Sequence, residues 1–175
     1  NENVLAIRSR GNHVWFATLD GVGEFEYTDP AELTGLFRRH PLPGSNFVYD
    51  VLPMADGSVL AATDGAGIVR IRRDHQVVGV GLVDPSNHTY YSLCSDQQGI
   101  AWACGPGTGI ARIGGGGLEH FGRGRAPFDG EVFAITPYRG RIAAFSHAGL
   151  VVLDVNAGRV IDPGDGFGLN GIYAP

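Results

Sequence analysis

The chain has 175 residues, 43% of them hydrophobic and 18% charged, which is enough to bury a core and too apolar for a disordered segment. A net charge of −5 and a pI near 5.6 lack the basic footprint of a nucleic-acid binder, and no apolar run is long enough to cross a membrane as a helix. Twenty-eight glycines and ten prolines without a collagen period announce many short strands joined by tight turns.

Taken in chain order, the predicted elements repeat. "VLAI" from Val4 is followed by the turn "RGNH" and a second β run, "VWFAT", from Val14. A third run, "GVGEFE", starts at Gly21, and a weaker fourth, "LTGLFRR", closes the unit. The next unit reads "VYDV" from Val48, "ADGS", "VLAAT" from Val59, "GIVRIR" from Gly67 and "HQVVGVGL". The third reads "YYSL" from Tyr90, "DQQG", "IAWAC" from Ile100, "GIARIG" from Gly109 and "LEHFGRG". The fourth reads "VFAI" from Val132, "RGR", "IAAFS" from Ile142, "GLVVLD" from Gly149 and "GRVIDP", before a lone "IYAP" from Ile172. Unit starts recur every 40 to 44 residues, and each unit holds four short strands.

That period and strand count predict an all-β fold: a β-propeller of about four consecutive four-stranded antiparallel blades, as part of a larger propeller. The blades cover approximately 1–44, 45–87, 88–129 and 130–169, with 170–175 as the first strand of a further blade. Further blades, or a second copy of the chain, would then complete the ring. The Gly-bearing turns suit tight hairpins because Gly, Asp and Asn tolerate the backbone angles required.

Two columns stand out in the first strands. Leu5, Tyr49, Tyr91, Phe133 and Tyr173 are bulky, whereas Ala6, Asp50, Ser92, Ala134 and Ala174 are small. Alternation along a strand places these on opposite faces, so that bulky residues of one sheet would pack against small ones of the next. Trp15 and Trp102 do not recur in the other units, and core packing is the expectation for both.

With these columns in place, the units resemble the two-component regulator propeller repeat, a strand, a D-x-G-x turn, W-x-x-T, then G-G-L or D-G-L. "GNHVWFATLDGVGEFE" is the nearest match, with "ADGSVLAATDGAGIVRI" and "DQQGIAWACGPGTGIARI" looser. Blade four, "RGRIAAFSHAGLVVLD", lacks both the Trp and the Thr. The resemblance implies the extracytoplasmic sensor portion of a bacterial receptor kinase, with a small-molecule or saccharide ligand. All 13 basic residues are Arg, which fits a GC-rich bacterial genome. A streptogramin-lyase-like propeller enzyme is the neighbouring resemblance, through the G-x-x-W-F turn. A protein-interaction scaffold is a third reading.

The residues carry little catalytic chemistry. There is no G-x-S-x-G elbow, and Ser146 and His147 are strand neighbours pointing to opposite faces. The glycine runs "GPGTG" and Gly114–Gly117 lack the Lys-Ser/Thr of a phosphate loop. His13, His40, His75, His88, His120 and His147 show no close metal-ligand spacing, so neither a metal nor a cofactor is expected. Cys94 and Cys104 lie on neighbouring strands but not opposite one another, and buried free thiols are expected rather than a bridge. The column that could serve a polar ligand enters the inner strands: Asn3, Asn46, Asn87 and Asn170, with Asp129 or Glu131 in the fourth unit. Asp50, the only charge in the small column, completes this set, lining the channel or pairing with an Arg.

Overall fold

A computed structural model describes residues 3–29, 31–32, 34–45, 47–80, 89–114, 117–121, 130–147, 149–157 and 159–161. The described residues form sixteen strands in four antiparallel sheets. Blade 1 comprises β1 (Val4–Arg10), β2 (His13–Thr18), β3 (Gly21–Asp29) and β4 (Thr34–His40). Blade 2 comprises β5 (Val48–Pro53), β6 (Val59–Thr63), β7 (Ile68–Ile71) and β8 (Val77–Val80). Blade 3 comprises β9 (Ser92–Ser95), β10 (Ala101–Gly105), β11 (Gly109–Gly114) and β12 (Gly117–Phe121). Blade 4 comprises β13 (Val132–Tyr138), β14 (Arg141–Ser146), β15 (Gly149–Asp154) and β16 (Arg159–Ile161). Within each sheet the strands stand in sequence order, and β1, β5, β9 and β13 contact one another in succession as the inner strands. The expected all-β partial propeller is therefore what forms. Residues 170–175, expected to open a further blade, lie outside the described residues.

The turns follow their glycines. Gly11, Gly57, Gly99 and Gly140 at the first hairpins all have positive φ, between +61° and +79°. At Gly21 a Cβ would stand 2.7 Å from the His40 carbonyl oxygen, so a side chain there would push β4 off β3.

Three apolar seams hold the blades together. Trp15, Ala17 and Val22 of blade 1 pack on Val48, Val51, Val59 and Val69 of blade 2. Leu60, Ala62 and Ile68 of blade 2 meet Tyr90, Leu93, Ala101 and Ala111 of blade 3. Trp102, Cys104 and Ile110 of blade 3 meet Val132, Ile135, Ile142 and Leu153 of blade 4. The opposite face of blade 1 is apolar but uncovered, with Ile7 and Phe37 exposed at 56 and 57%. Ile7 pairs with Phe16 and Phe25 with Phe37, which places these rings on the face turned away from blade 2.

The bulky column of the inner strands departs from the packing expected of it. The ladders of β1, β5 and β13 each shift register across one residue, between Val4 and Ala6, Val48 and Asp50, and Val132 and Ala134. Leu5, Tyr49 and Phe133 are those extra residues. A bulge releases its residue from strict alternation and re-aims the side chain. The seams are filled instead by Val48, Val51, Val132 and Ile135.

Cys94 and Cys104 are free and buried, as expected. Cys94 stands opposite Trp102 and Cys104 opposite Ser92, so the ladder itself keeps the thiols apart. Burial pushes the Cys94 thiol up to about 12 and the Cys104 thiol higher still. The folded protein at pH 8 is therefore expected to take up no aromatic disulfide reagent, and the urea-unfolded chain two equivalents. Prompt labelling of the native protein would contradict this burial.

Candidate functional site

The bulges that remove Tyr49 and Phe133 from the core deliver them to a strip running across the start of the inner strands. Phe47 and Tyr49 rings lie 4.7 Å apart between centroids, and Tyr49 meets Tyr91 edge-on at 5.0 Å. Tyr91 donates its hydroxyl to Glu131 Oε1 over 3.5 Å, and Glu131 Oε2 stands 3.5 Å from His147 Nε2. His147 in turn meets Phe133 edge-on at 5.2 Å, and Phe133 lies 6.1 Å from Phe145. Blades 2, 3 and 4 thus contribute to one chain of contacts. Phe47, Tyr49, Tyr91 and Glu131 are half-buried, while Phe133 and His147 are exposed.

Electrostatics keep the phenols protonated. Burial raises the pKa of Tyr49 and of Tyr91 above the ordinary phenol value. The charge of Asp64 adds to this at Tyr49, and that of Glu131 does so first at Tyr91. Both hydroxyls are donors as well as acceptors, beside a carboxylate and an imidazole. Thr89, which donates its hydroxyl to Asp64 Oδ1 at 2.9 Å, borders the strip. The arrangement offers ring faces and edges to an apolar surface, with polar groups placed to fix its orientation.

The residues singled out from sequence fare differently. Asn3 is exposed ahead of β1, at the same end of the inner strands as the strip. Asn46, Asn87, Asp129 and Asn170 lie outside the described residues. Asp50 is 4% exposed and pairs with an arginine, one of the two roles open to it: its Oδ1 is 3.0 Å from Arg8 Nη2. Its Oδ2 accepts the Leu93 N–H at 3.0 Å and its Oδ1 the Val51 N–H at 2.9 Å. One carboxylate therefore ties β1, β5 and β9 together. Burial raises its pKa from the ordinary aspartate value, against the lowering effect of the Leu93 N–H and Arg8.

Trp15 and Trp102 are both buried, as expected of packing residues. Ser146 is buried and His147 exposed, and the Ser146 hydroxyl donates to the Gly149 carbonyl at 3.4 Å. Arg38 Nη1 donates to Glu26 Oε2 at 2.7 Å, both side chains being partly exposed. Glu131, a fourth-unit candidate from the sequence, does lie in the strip, whereas its aromatic members were missed because their column was assigned to the seams. The signal for it was the bulky–small pair repeated at each inner strand, which marks a bulge as well as it marks alternation.

No known protein-family profile matches the chain, and neither does any curated protein sequence. Solved structures do. A catalytically inactive virginiamycin B lyase from Staphylococcus aureus, determined with quinupristin, superposes with a TM-score of 0.73 at 18% identity, covering 90% of this chain and 54% of that one. The extracellular domain described for the hybrid two component system BT3049 from B. thetaiotaomicron gives 0.72 at 19%, covering 92% and 24%. The computationally designed Ika4 protein gives 0.64 at 17%, covering 86% and 89%. The chain thus spans about half the length of the lyase and about a quarter of that extracellular domain. At such identities the likeness speaks for architecture, and the chain has the architecture of consecutive β-propeller blades.

Proposed function

We propose that this chain is a non-enzymatic, ligand-binding β-propeller module from the extracytoplasmic sensor portion of a bacterial two-component signalling protein. The observation that carries the reading is the strip Phe47–Tyr49–Tyr91–Glu131–His147–Phe133. Rings from three blades with interspersed acceptors and donors suit a saccharide, whose C–H faces stack on aromatics while its hydroxyls bond to carboxylate and phenol. Likeness to extracellular domains of two-component systems supports the sensor context. The uncovered apolar face of blade 1 supports further blades, or a second copy, completing the ring.

A second reading, a propeller lyase or hydrolase, draws on the approach of Glu131 and His147, since an acid and an imidazole are what proton transfer would use. A panel of neutral and uronic-acid-containing oligosaccharides, with quinupristin beside them, separates the two. The binding reading expects at least one saccharide to raise the melting temperature dose-dependently and to be recovered unchanged, with the shift lost in Tyr91→Ala. A probe recovered as product would move the assignment to the enzyme, and a panel with no shift at all would defeat the saccharide reading.

A further inference from the structure

A second concentration of titratable side chains lies apart from the strip, at the seam of blades 1 and 2. Its centre is Glu24 on β3, 1% exposed, a depth at which a carboxylate must find compensating partners. His13 Nδ1, at the start of β2, stands 2.8 Å from Glu24 Oε1, and His40 Nε2, at the end of β4, stands 2.9 Å from Oε2. His75, in the β7–β8 turn of blade 2, brings its Nδ1 to 3.9 Å from the same Oε2. Hairpin register explains how blade 1 gathers its share: Trp15 faces Glu24 and Val22 faces His40, so all lie on the surface turned to blade 2. The Trp15 ring supports them, 6.1 Å from His13 and 5.6 Å from His40, and the His40 and His75 rings stack at 5.4 Å.

Three features go beyond what a buried hydrogen-bonded carboxylate requires. Glu24, His40 and His75 each offer a donor atom within 4.8 Å of the others. His75 holds φ at +63°, an uncommon conformation for a residue with a side chain, in a turn closed by its N–H to the Arg72 carbonyl at 2.9 Å. That backbone aims the imidazole of a solvent-facing turn back at Glu24. A cleft of about 410 Å³, whose lining includes Arg10, Asn12, Glu26, Ser58 and Arg73, also opens onto the cluster.

We propose that Glu24 Oε2, His40 Nε2 and His75 Nδ1 form a binding site for a zinc-type divalent transition-metal ion, with a fourth coordination position open to the cleft. Two imidazoles and one carboxylate are the borderline donor set that zinc accepts, and three protein ligands leave a tetrahedral ion one free position. Ligand bonds of about 2.0–2.2 Å place tetrahedral donors roughly 3.4 Å apart. The Glu24–His40 contact of 2.9 Å must therefore open slightly and the Glu24–His75 contact of 3.9 Å must close slightly, both within side-chain motion. The ion takes the place of the hydrogen shared by Glu24 and His40. His13 keeps its bond to Oε1 and orients the carboxylate. Arg38 Nη1, 3.8 Å from Oε2, is the competing cation, and its 2.7 Å bond to Glu26 gives it another carboxylate to hold. Because blade 2 supplies one ligand and blade 1 two, the ion would clamp the seam.

Zinc titration of the chain against a chromophoric chelator tests this, with cobalt(II) absorption as the geometric readout. The expected result is one equivalent bound, with an intense tetrahedral cobalt band that zinc abolishes. His75→Asn, which tolerates the positive φ and alters an exposed turn, should weaken zinc at least about tenfold, as should His13→Ala through the carboxylate it orients. Glu24→Gln and His40→Ala should weaken it more, and His120→Gln should leave it unchanged. A wild-type chain that binds no zinc, an aqueous-type cobalt spectrum, or unchanged affinity in His75→Asn would each overturn the assignment. These results are independent of the saccharide panel, since the strip and the seam share no residue.

Discussion

Replacing Asp50 with alanine is expected to cost the fold about 1–3 kcal/mol, the range for stranding a buried donor. The Leu93 N–H on β9 gives up its acceptor in a 3%-exposed environment, where water does not replace it. Arg8 suffers less, because its side chain is 45% exposed and solvent takes over. Asp50→Asn keeps an acceptor for Leu93 and should recover much of the loss. Urea unfolding followed by circular dichroism would order wild type, Asp50→Asn and Asp50→Ala in that sequence. An Asp50→Ala protein within about 0.5 kcal/mol of wild type, the usual surface effect, would refute the role of Asp50 as a tie between blades. The pH dependence has a definite sign. Burial raises the folded-state pKa of Asp50 above its unfolded value, so the folded state holds the proton more tightly. Asp50's share of the stability thus falls as pH rises from about 3.8 through the folded-state pKa, and Asp50→Asn lacks this slope.

Asp50 also shows where sequence reading succeeds and where it stops. A charge in a column otherwise filled by Ala and Ser must line the channel or find a partner, and pairing with an arginine was one of the two roles the sequence left open. Which arginine was not, because Arg8 reaches it from another blade, 42 residues away. Blades were legible because each repeats a local pattern: a glycine at positive φ, a short apolar strand, another glycine. Bulges were not, because a bulky–small pair reads the same whether the ladder is regular or shifted by one residue. The His13–Glu24–His40–His75 cluster had no signature at all. Its successive members are 11 to 35 residues apart along the chain, with no metal-ligand spacing between them. They meet only through the registers of β2–β3 and β3–β4 and the packing of blade 2 on blade 1. Local regularity builds a propeller, whereas its chemistry collects at seams and strand ends that the repeat does not specify.

The same distinction separates the two tryptophans, and Trp102 should give the larger effect. Trp102 is 1% exposed on β10, packed at 5.5 Å on Phe121 and surrounded by side chains of blades 3 and 4. Its Nε1 donates to Asp96 Oδ2 at 2.9 Å, which fixes the ring against the β9–β10 turn. Trp102→Ala leaves a cavity between two sheets whose ladders restrain collapse, and a cost of about 3–5 kcal/mol is expected. Trp102→Phe keeps most of the volume and loses the indole bond. Asp96 still accepts from the Gln98 and Ile100 N–H groups, so about 1–2 kcal/mol is expected there. Trp15→Ala should cost less than Trp102→Ala, because Trp15 borders the open cleft and water can enter the space left behind. Melting curves of the three variants decide the matter. If Trp15→Ala proved the more damaging, the blade 1–blade 2 seam would be the stronger one, and its histidine cluster would then be a structural brace before it was a metal site.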